Sequence, residues 1–208
     1  MSHMDAPDRD IYLDNLRTLA NVMFALCMFS SVLKIDFPAR NLPDEELLAF
    51  ILQSFEAFAN FAVAFIFLAM YWIKFITNFN LIHRSNNIMI ILWLAYLAVL
   101  CIYPFAENLI ANYPGSIVAQ IGFSAIWAIV GIVGLACWSY AVYARLVDPD
   151  LDMHEARMKW LESLPEPAAA LLSIVCAYHS NVAYYGALLL VLPANYFVAR
   201  RYSRREVR

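Results

Sequence analysis

Long apolar runs with very few charged residues set the strongest limit on how this chain folds. Four of them occupy residues 16–35, 45–76, 88–110 and 117–146, and a fifth apolar block covers 168–198. A bilayer core of about 30 Å needs roughly 20 apolar residues per helix. The composition agrees, because 63% of the 208 residues are hydrophobic and 15% are charged, whereas soluble domains have about 45–50% and about 25%. The sequence predicts an all-α integral membrane protein.

The fifth apolar block contains a polar interruption at His179, Ser180 and Asn181. We predict a short fifth helix at 168–178, a tight turn, and a sixth helix at 182–198. One long tilted helix is the alternative, because usable span lengths vary. The whole chain, residues 1–208, is then a single transmembrane domain with six membrane-spanning helices.

The distribution of basic residues predicts the orientation of these helices. Six spans place both termini on one side, together with Arg84, Arg157 and the basic C-terminal tail, whereas the opposite connections hold mainly Arg40. Because basic connections stay on the cytoplasmic side, we expect a multi-pass protein of the cell membrane with both termini in the cytoplasm.

No pattern in the sequence indicates catalysis. The His-x-x-x-His spacing of metal sites, the Gly-x-Ser-x-Gly nucleophile motif and a glycine-rich phosphate loop are all missing from the sequence. We therefore predict no enzymatic activity, no bound metal and no cofactor. The formal net charge of −3 does not suggest a nucleic-acid partner.

A first group of polar residues lies inside the second predicted span. Gln53, Glu56 and Asn60 are three and four residues apart, which places them on one face of a continuous helix. A carboxylate inside a membrane is costly and predicts a functional site. The alternatives are that Glu56 lies at the membrane interface or has a partner between helices. A proton-coupled carrier using Glu56 is one function that this group allows.

A second group forms a stripe on the first predicted helix. Leu26, Ser30 and Leu33 follow each other at i, i+4 and i+7, with Asn21 and Met23 shortly before them. Without further information, ordinary helix packing is the favoured explanation of such a stripe, and a path for solutes is the alternative.

Several local strings resemble the transmembrane protein 175 family, which comprises the lysosomal potassium channel and its shorter prokaryotic relatives. The string "MFALCMFSSVLKI" at 23–35 is similar to the family's first-helix string, and "FPARNLP" follows as the family's loop does. Trp72 stands where the family has a tryptophan at the end of its second helix. The string "WLAYLAVLCIYPFAENLIANYP" at 93–114 is similar to the third-helix string, and Pro104-Phe105 is its most specific part.

This resemblance implies a homotetrameric cation channel in the lipid bilayer, with the first helix of each subunit lining a central pore. Monovalent cations, potassium first, are the implied permeant ions, and the family needs no cofactor. The family's rings of large aliphatic side chains match Leu26, Ser30 and Leu33. Since Ser30 replaces a bulky aliphatic residue, we expect that ring to be wider, wetter and less selective for potassium. We expect Lys34 and Asp36 near the outer mouth.

The chain departs from the family where a polar network supports the pore helix. Asn15 replaces an arginine, Leu19-Ala20-Asn21 replaces the Phe-Ser-Asp motif, and Phe75 replaces a histidine. Of the family's polar set, Trp72 is kept and Asn21 is a weak remnant. The predicted pore-supporting residues are Asn21, Met23 and Trp72. Either another network supports the helix or conduction is altered. A non-conducting membrane assembly or signalling module of the same fold is therefore a further alternative.

Overall fold

The computed structural model describes residues 11–33, 35, 37–113 and 115–203. Within its helices, some side chains are outside the description, namely those of residues 56, 57, 59, 60, 63 and 198–203. Lys34 and Asp36, which we predicted near an outer mouth, lie outside the described residues.

The described residues form an all-α fold, as predicted from the sequence. In chain order the helices are α1 (Ile11–Val32), α2 (Asp44–Gln53), α3 (Phe55–Phe79), α4 (Asn87–Leu100), α5 (Tyr103–Asn112), α6 (Ile117–Tyr143), α7 (Met153–Glu162), α8 (Pro165–Ala177), α9 (Asn181–Leu189) and α10 (Val191–Ser203).

Three of the predicted helices are interrupted in the structure. The sixth, predicted at 182–198, divides into α9 and α10 at Leu190. The span predicted at 45–76 is wrong as one continuous helix, because Ser54 separates α2 from α3, and α3 continues to Phe79. The span predicted at 88–110 divides into α4 and α5 at residues 101–102. The physical reason is Pro104, whose missing N–H cannot bond the carbonyl of Leu100. Residues 178–180 separate α8 from α9, so the alternative of one continuous helix over 168–198 is wrong.

Hydrogen bonds between segments distant in sequence mark the two ends of the bundle. At one end the backbone amides of His83 and Arg84 donate to the carbonyl of Leu146, at 2.9 and 3.1 Å. At the other end the Gln120 side-chain amide donates to Asn181 Oδ1 at 2.9 Å. Helix α6 joins the two ends, and its 27 residues extend about 40 Å at about 1.5 Å per residue.

Two helical stretches among the described residues are long and apolar enough to cross a membrane. They are Asn87–Asn112, which includes the break before α5, and Ile117–Tyr143, with mean hydropathies of 2.4 and 2.1. In the most apolar 18-residue stretch of each, the share buried inside the chain is only 33% and 44%, respectively. Because the remaining apolar surface is uncovered by the protein itself, these helices differ from the buried core helices of soluble proteins.

The second half of the chain packs tightly against α6. A Cβ added to Gly131 would lie 2.9 Å from Cδ of Pro167, so the small residue permits the close approach of α8. Nearby, Lys74 of α3 forms an ion pair of 2.5 Å with the buried Glu166 of α8. Asn195 of α10 completes this cluster by donating to Glu166 Oε1 at 2.7 Å. The cluster ties three helices together at the end that carries Arg84.

Candidate functional site

Helix α1 buries one face against the rest of its own chain. The buried positions recur every three or four residues, namely Leu13, Leu16, Ala20, Phe24, Cys27 and Ser31. This spacing is that of one helix face, and the face packs on α3, α4 and α5. The chain therefore fixes the rotation of α1 about its own axis.

An aromatic cluster holds the middle of this buried face. Phe24, which is 1% exposed, lies with its ring centroid 5.8 Å from that of Phe75 and 6.4 Å from that of Tyr96. Trp93 closes the cluster, edge to face with Phe75 at 5.1 Å. Phe75 occupies the position where the family resemblance led us to look for histidine. Aromatic packing thus stands where a polar contact was expected.

Two polar contacts anchor the C-terminal half of α1. The hydroxyl of Ser31 donates to Glu107 Oε2 of α5 at 2.7 Å, and both residues are buried. One turn earlier, the thiol of Cys27 donates to the carbonyl of Leu100 at 3.5 Å. That carbonyl is the one that Pro104 leaves without its helical donor. Sequence reasoning missed Ser31 and Glu107 as partners; the signal was a carboxylate inside the third apolar run.

The N-terminal half of α1 is held by the residues that we predicted to be pore-supporting. Trp72 Nε1 donates to Asn21 Oδ1 at 3.0 Å, so these two residues are in contact. Met23 is half-buried against the core. Arg17, near the position of the family's arginine, places its guanidinium 5.5 Å from the ring centroid of Phe79.

The predicted stripe lies on a different face of α1, which the chain leaves uncovered. Leu26 is 56% exposed and Leu33 is 65% exposed, and Ser30 between them is half-buried. The Ser30 hydroxyl donates to the carbonyl of Cys27 at 2.7 Å. Because its proton is engaged in the helix, the Ser30 oxygen has only lone pairs left to offer to another group. Such an oxygen suits a cation or a water molecule, both of which offer positive charge.

The group formed by Gln53, Glu56 and Asn60 does not lie on one continuous helix. Gln53 is the last residue of α2 and is exposed, whereas Glu56 and Asn60 follow the break at Ser54. Because the backbone of Ser54 keeps right-handed helical angles, with φ −74° and ψ −9°, the shared helix face stays a prediction. The side chains of Glu56 and Asn60 lie outside the described residues.

No cluster of three or more His, Cys, Asp or Glu residues suited to a metal ion occurs within the part of the chain that the structure describes. The candidate site therefore consists of a helix whose rotation is fixed by its own chain and the Ser30 hydroxyl between two exposed leucines. Together with the apolar surface of α4, α5 and α6, it defines a membrane-type helical bundle whose first helix is available for contacts beyond its own chain.

Comparisons with known proteins show what this bundle is similar to. The model of the endosomal/lysosomal potassium channel TMEM175 family matches residues 15–104, less than half of the chain, from within α1 to the start of α5. The predicted resemblance to this family is confirmed by this match. No curated protein sequence matches the chain.

Two solved structures share the fold. One is a lysosomal potassium-selective channel TMEM175 homolog from Chamaesiphon minutus, with a TM-score of 0.72 and 20% identity over 90% of this chain and 97% of that chain. The other is a variant of the potassium channel MtTMEM175 in complex with a Nanobody-MBP fusion protein, with a TM-score of 0.64 and 16% identity over 91% and 93% of the two chains.

Proposed function

We propose that this protein is a passive, potassium-permeable cation channel in which α1 of each subunit of a homotetramer lines the path. The observation that carries the proposal is the uncovered stripe of Leu26, Ser30 and Leu33, on a helix whose other face is fixed by its own chain. The family match over residues 15–104 supports the same function, because the family is named for a potassium channel.

A closed ring of subunits follows from the geometry of a single pore helix. One helix cannot enclose a path, so the stripe meets copies of itself around a symmetry axis. The proposed ring is tetrameric. A native mass measurement in several mild detergents tests it, and a protein that is monomeric in all of them contradicts the pore.

Conduction depends on dehydration at narrow apolar rings. Leu26 and Leu33 form the dry constrictions, and the Ser30 oxygens between them solvate a passing ion. Since a hydroxymethyl group is smaller than a leucine side chain, the middle ring is wide. We infer that potassium passes with weak discrimination against sodium.

The proposed orientation places the end that carries Arg84 in the cytoplasm. The connections after α3 and after α6 meet there through the hydrogen bonds to Leu146. Their basic residues Arg84 and Arg145, together with the tail at 200–208, favour that side. We propose six membrane crossings, made by α1, α2–α3, α4–α5, α6, α8 and α9–α10, with α7 at the cytoplasmic surface.

Flux into liposomes tests the function directly. Purified protein in liposomes is expected to pass potassium, sodium and caesium when each is supplied in parallel, and Leu26→Ala and Leu33→Ala are expected to raise the flux because smaller rings are easier to wet. An absence of flux from a correctly assembled tetramer favours the non-conducting assembly module. A pH-dependent flux that is lost in Glu56→Gln favours the proton-coupled carrier.

A further inference from the structure

A cavity of about 630 Å³ lies at the end of the bundle that carries Arg84. Its lining includes His83 and Arg84 from the connection after α3, and Arg145 and Asp148 from the connection after α6. Three of these four ionisable residues are basic. The cavity is separate from the stripe on α1, and the proposed conduction mechanism does not use it.

Backbone hydrogen bonds give the cavity a fixed frame. Besides the two bonds that the carbonyl of Leu146 accepts, the amide of Asp148 donates to the carbonyl of Leu81 at 2.8 Å. Ile82 and Val147 form an antiparallel bridge between the same two connections. The basic side chains therefore project from two segments whose spacing is set before any ligand binds.

The carboxylate of Asp148 has partners within the protein, whereas the two arginines of the cavity have none among the described residues. Asp148 Oδ2 lies 3.8 Å from His83 Nε2, and Asp148 Oδ1 accepts from the amide of Asp150 at 2.9 Å. Among the described residues, neither the Arg84 nor the Arg145 guanidinium has a hydrogen bond or ion pair with a protein group. Two guanidinium groups thus line one cavity with their donors unused.

The backbone of Arg145 adds an independent observation. Its φ is 55°, in the left-handed region, directly after the end of α6, where glycine or asparagine normally ends a helix. An arginine there carries a conformational cost that glycine avoids. Among the described residues, no hydrogen bond or ion pair of the exposed Arg145 side chain offsets this cost. This indicates a partner from outside the chain.

We propose that this cavity binds a phosphate group between Arg84 and Arg145. The planar guanidinium matches phosphate oxygens in a two-bond geometry, so a pair of arginines is suited to this ligand. The phosphate of an anionic phospholipid headgroup and a free phosphate ion offer the same chemistry. Val142 and Met153 in the lining provide an apolar surface that the acyl chain of such a lipid can contact.

Thermal unfolding of the full chain in a neutral detergent tests the proposal. The probes are dioctanoyl phosphatidylglycerol, inorganic phosphate, and dioctanoylglycerol, which has the same chains without a phosphate. A ligand that binds the folded state raises Tm, so we expect phosphatidylglycerol to raise it by several degrees. A rise with phosphatidylglycerol alone assigns the source to a lipid headgroup, and a rise with inorganic phosphate as well shows that the phosphate group suffices.

Matched variants separate binding from folding. Arg84→Gln is expected to lose most of the rise, whereas Arg157→Gln, which removes an exposed arginine of α7 outside the cavity, is expected to keep it. Arg145→Gly is expected to raise Tm without ligand, because glycine tolerates the positive φ, and to lose the response to ligand. The proposal is overturned if neither phosphate probe raises Tm, if dioctanoylglycerol raises it equally, or if the Arg84 and Arg145 variants respond like the wild type.

Discussion

The two faces of α1 differ in what they contact within their own chain. The buried face, with Phe24, Cys27 and Ser31, meets an aromatic cluster, a freed carbonyl and a carboxylate from its own chain. The face with Leu26 and Leu33 meets nothing comparable, and its leucines are more than half exposed. Contacts within a single chain therefore fix the rotation of α1 about its own axis. Substitutions on the buried face are therefore expected to lower the stability of the chain more than substitutions on the exposed face.

The largest expected difference in stability between the two faces concerns two phenylalanines of α1. Phe24 is buried in the aromatic cluster, and Phe29, five residues later, is 58% exposed. We expect Phe24→Ala to cost about 3–5 kcal/mol, the range for soluble cores, and Phe29→Ala to cost clearly less. Thermal unfolding in detergent measures both. Equal losses contradict the assignment of the two faces.

The adjacent serines give the second test. Ser31→Ala removes a hydrogen bond to a buried carboxylate and is expected to cost about 1.5–3 kcal/mol. Ser30→Ala removes a hydroxyl that bonds only its own helix carbonyl, so stability is expected to stay level or rise slightly, because alanine is the better helix former. Chemical denaturation of the two variants compares them. A larger loss for Ser30→Ala reverses the assignment.

The contact between Asn21 and Trp72 has the smallest expected effect, because it lies at an exposed surface. Trp72→Phe keeps an aromatic ring and removes the donor, at an expected cost of about 0.5–1.5 kcal/mol. In the Asn21→Leu background the acceptor is already gone, so Trp72→Phe should then cost little. Additive losses in this double-mutant cycle show that the hydrogen bond contributes nothing.

Much of the fold followed from the sequence because apolar runs of membrane length leave few alternatives to helices. The interruption at His179, Ser180 and Asn181 is visible as polarity, and residues 178–180 separate α8 from α9 in the structure. The break at Ser54 was missed because a serine that bonds the carbonyl of Phe50, at 2.9 Å, leaves no mark in hydropathy.

The support of α1 was harder to predict than its stripe. Helical spacing alone places Leu26, Ser30 and Leu33 together. The pairing of Ser31 with Glu107 joins residues 76 positions apart, and a single sequence does not say which helices pack side by side. Because Ser31→Leu would disrupt this buried hydrogen bond, it is unsuitable as a control for the direction of Ser30.

The most direct test of the central claim compares two substitutions to leucine on α1. Ser30→Leu fills the proposed middle ring, whereas Ala25→Leu adds the same side chain at an exposed position on another side of the helix. Potassium flux into liposomes is predicted to fall at least roughly tenfold in Ser30→Leu, as about 1.4 kcal/mol of added barrier produces, and to stay near wild type in Ala25→Leu. An unchanged flux in Ser30→Leu, or an equal fall in both variants, contradicts an ion path along this face.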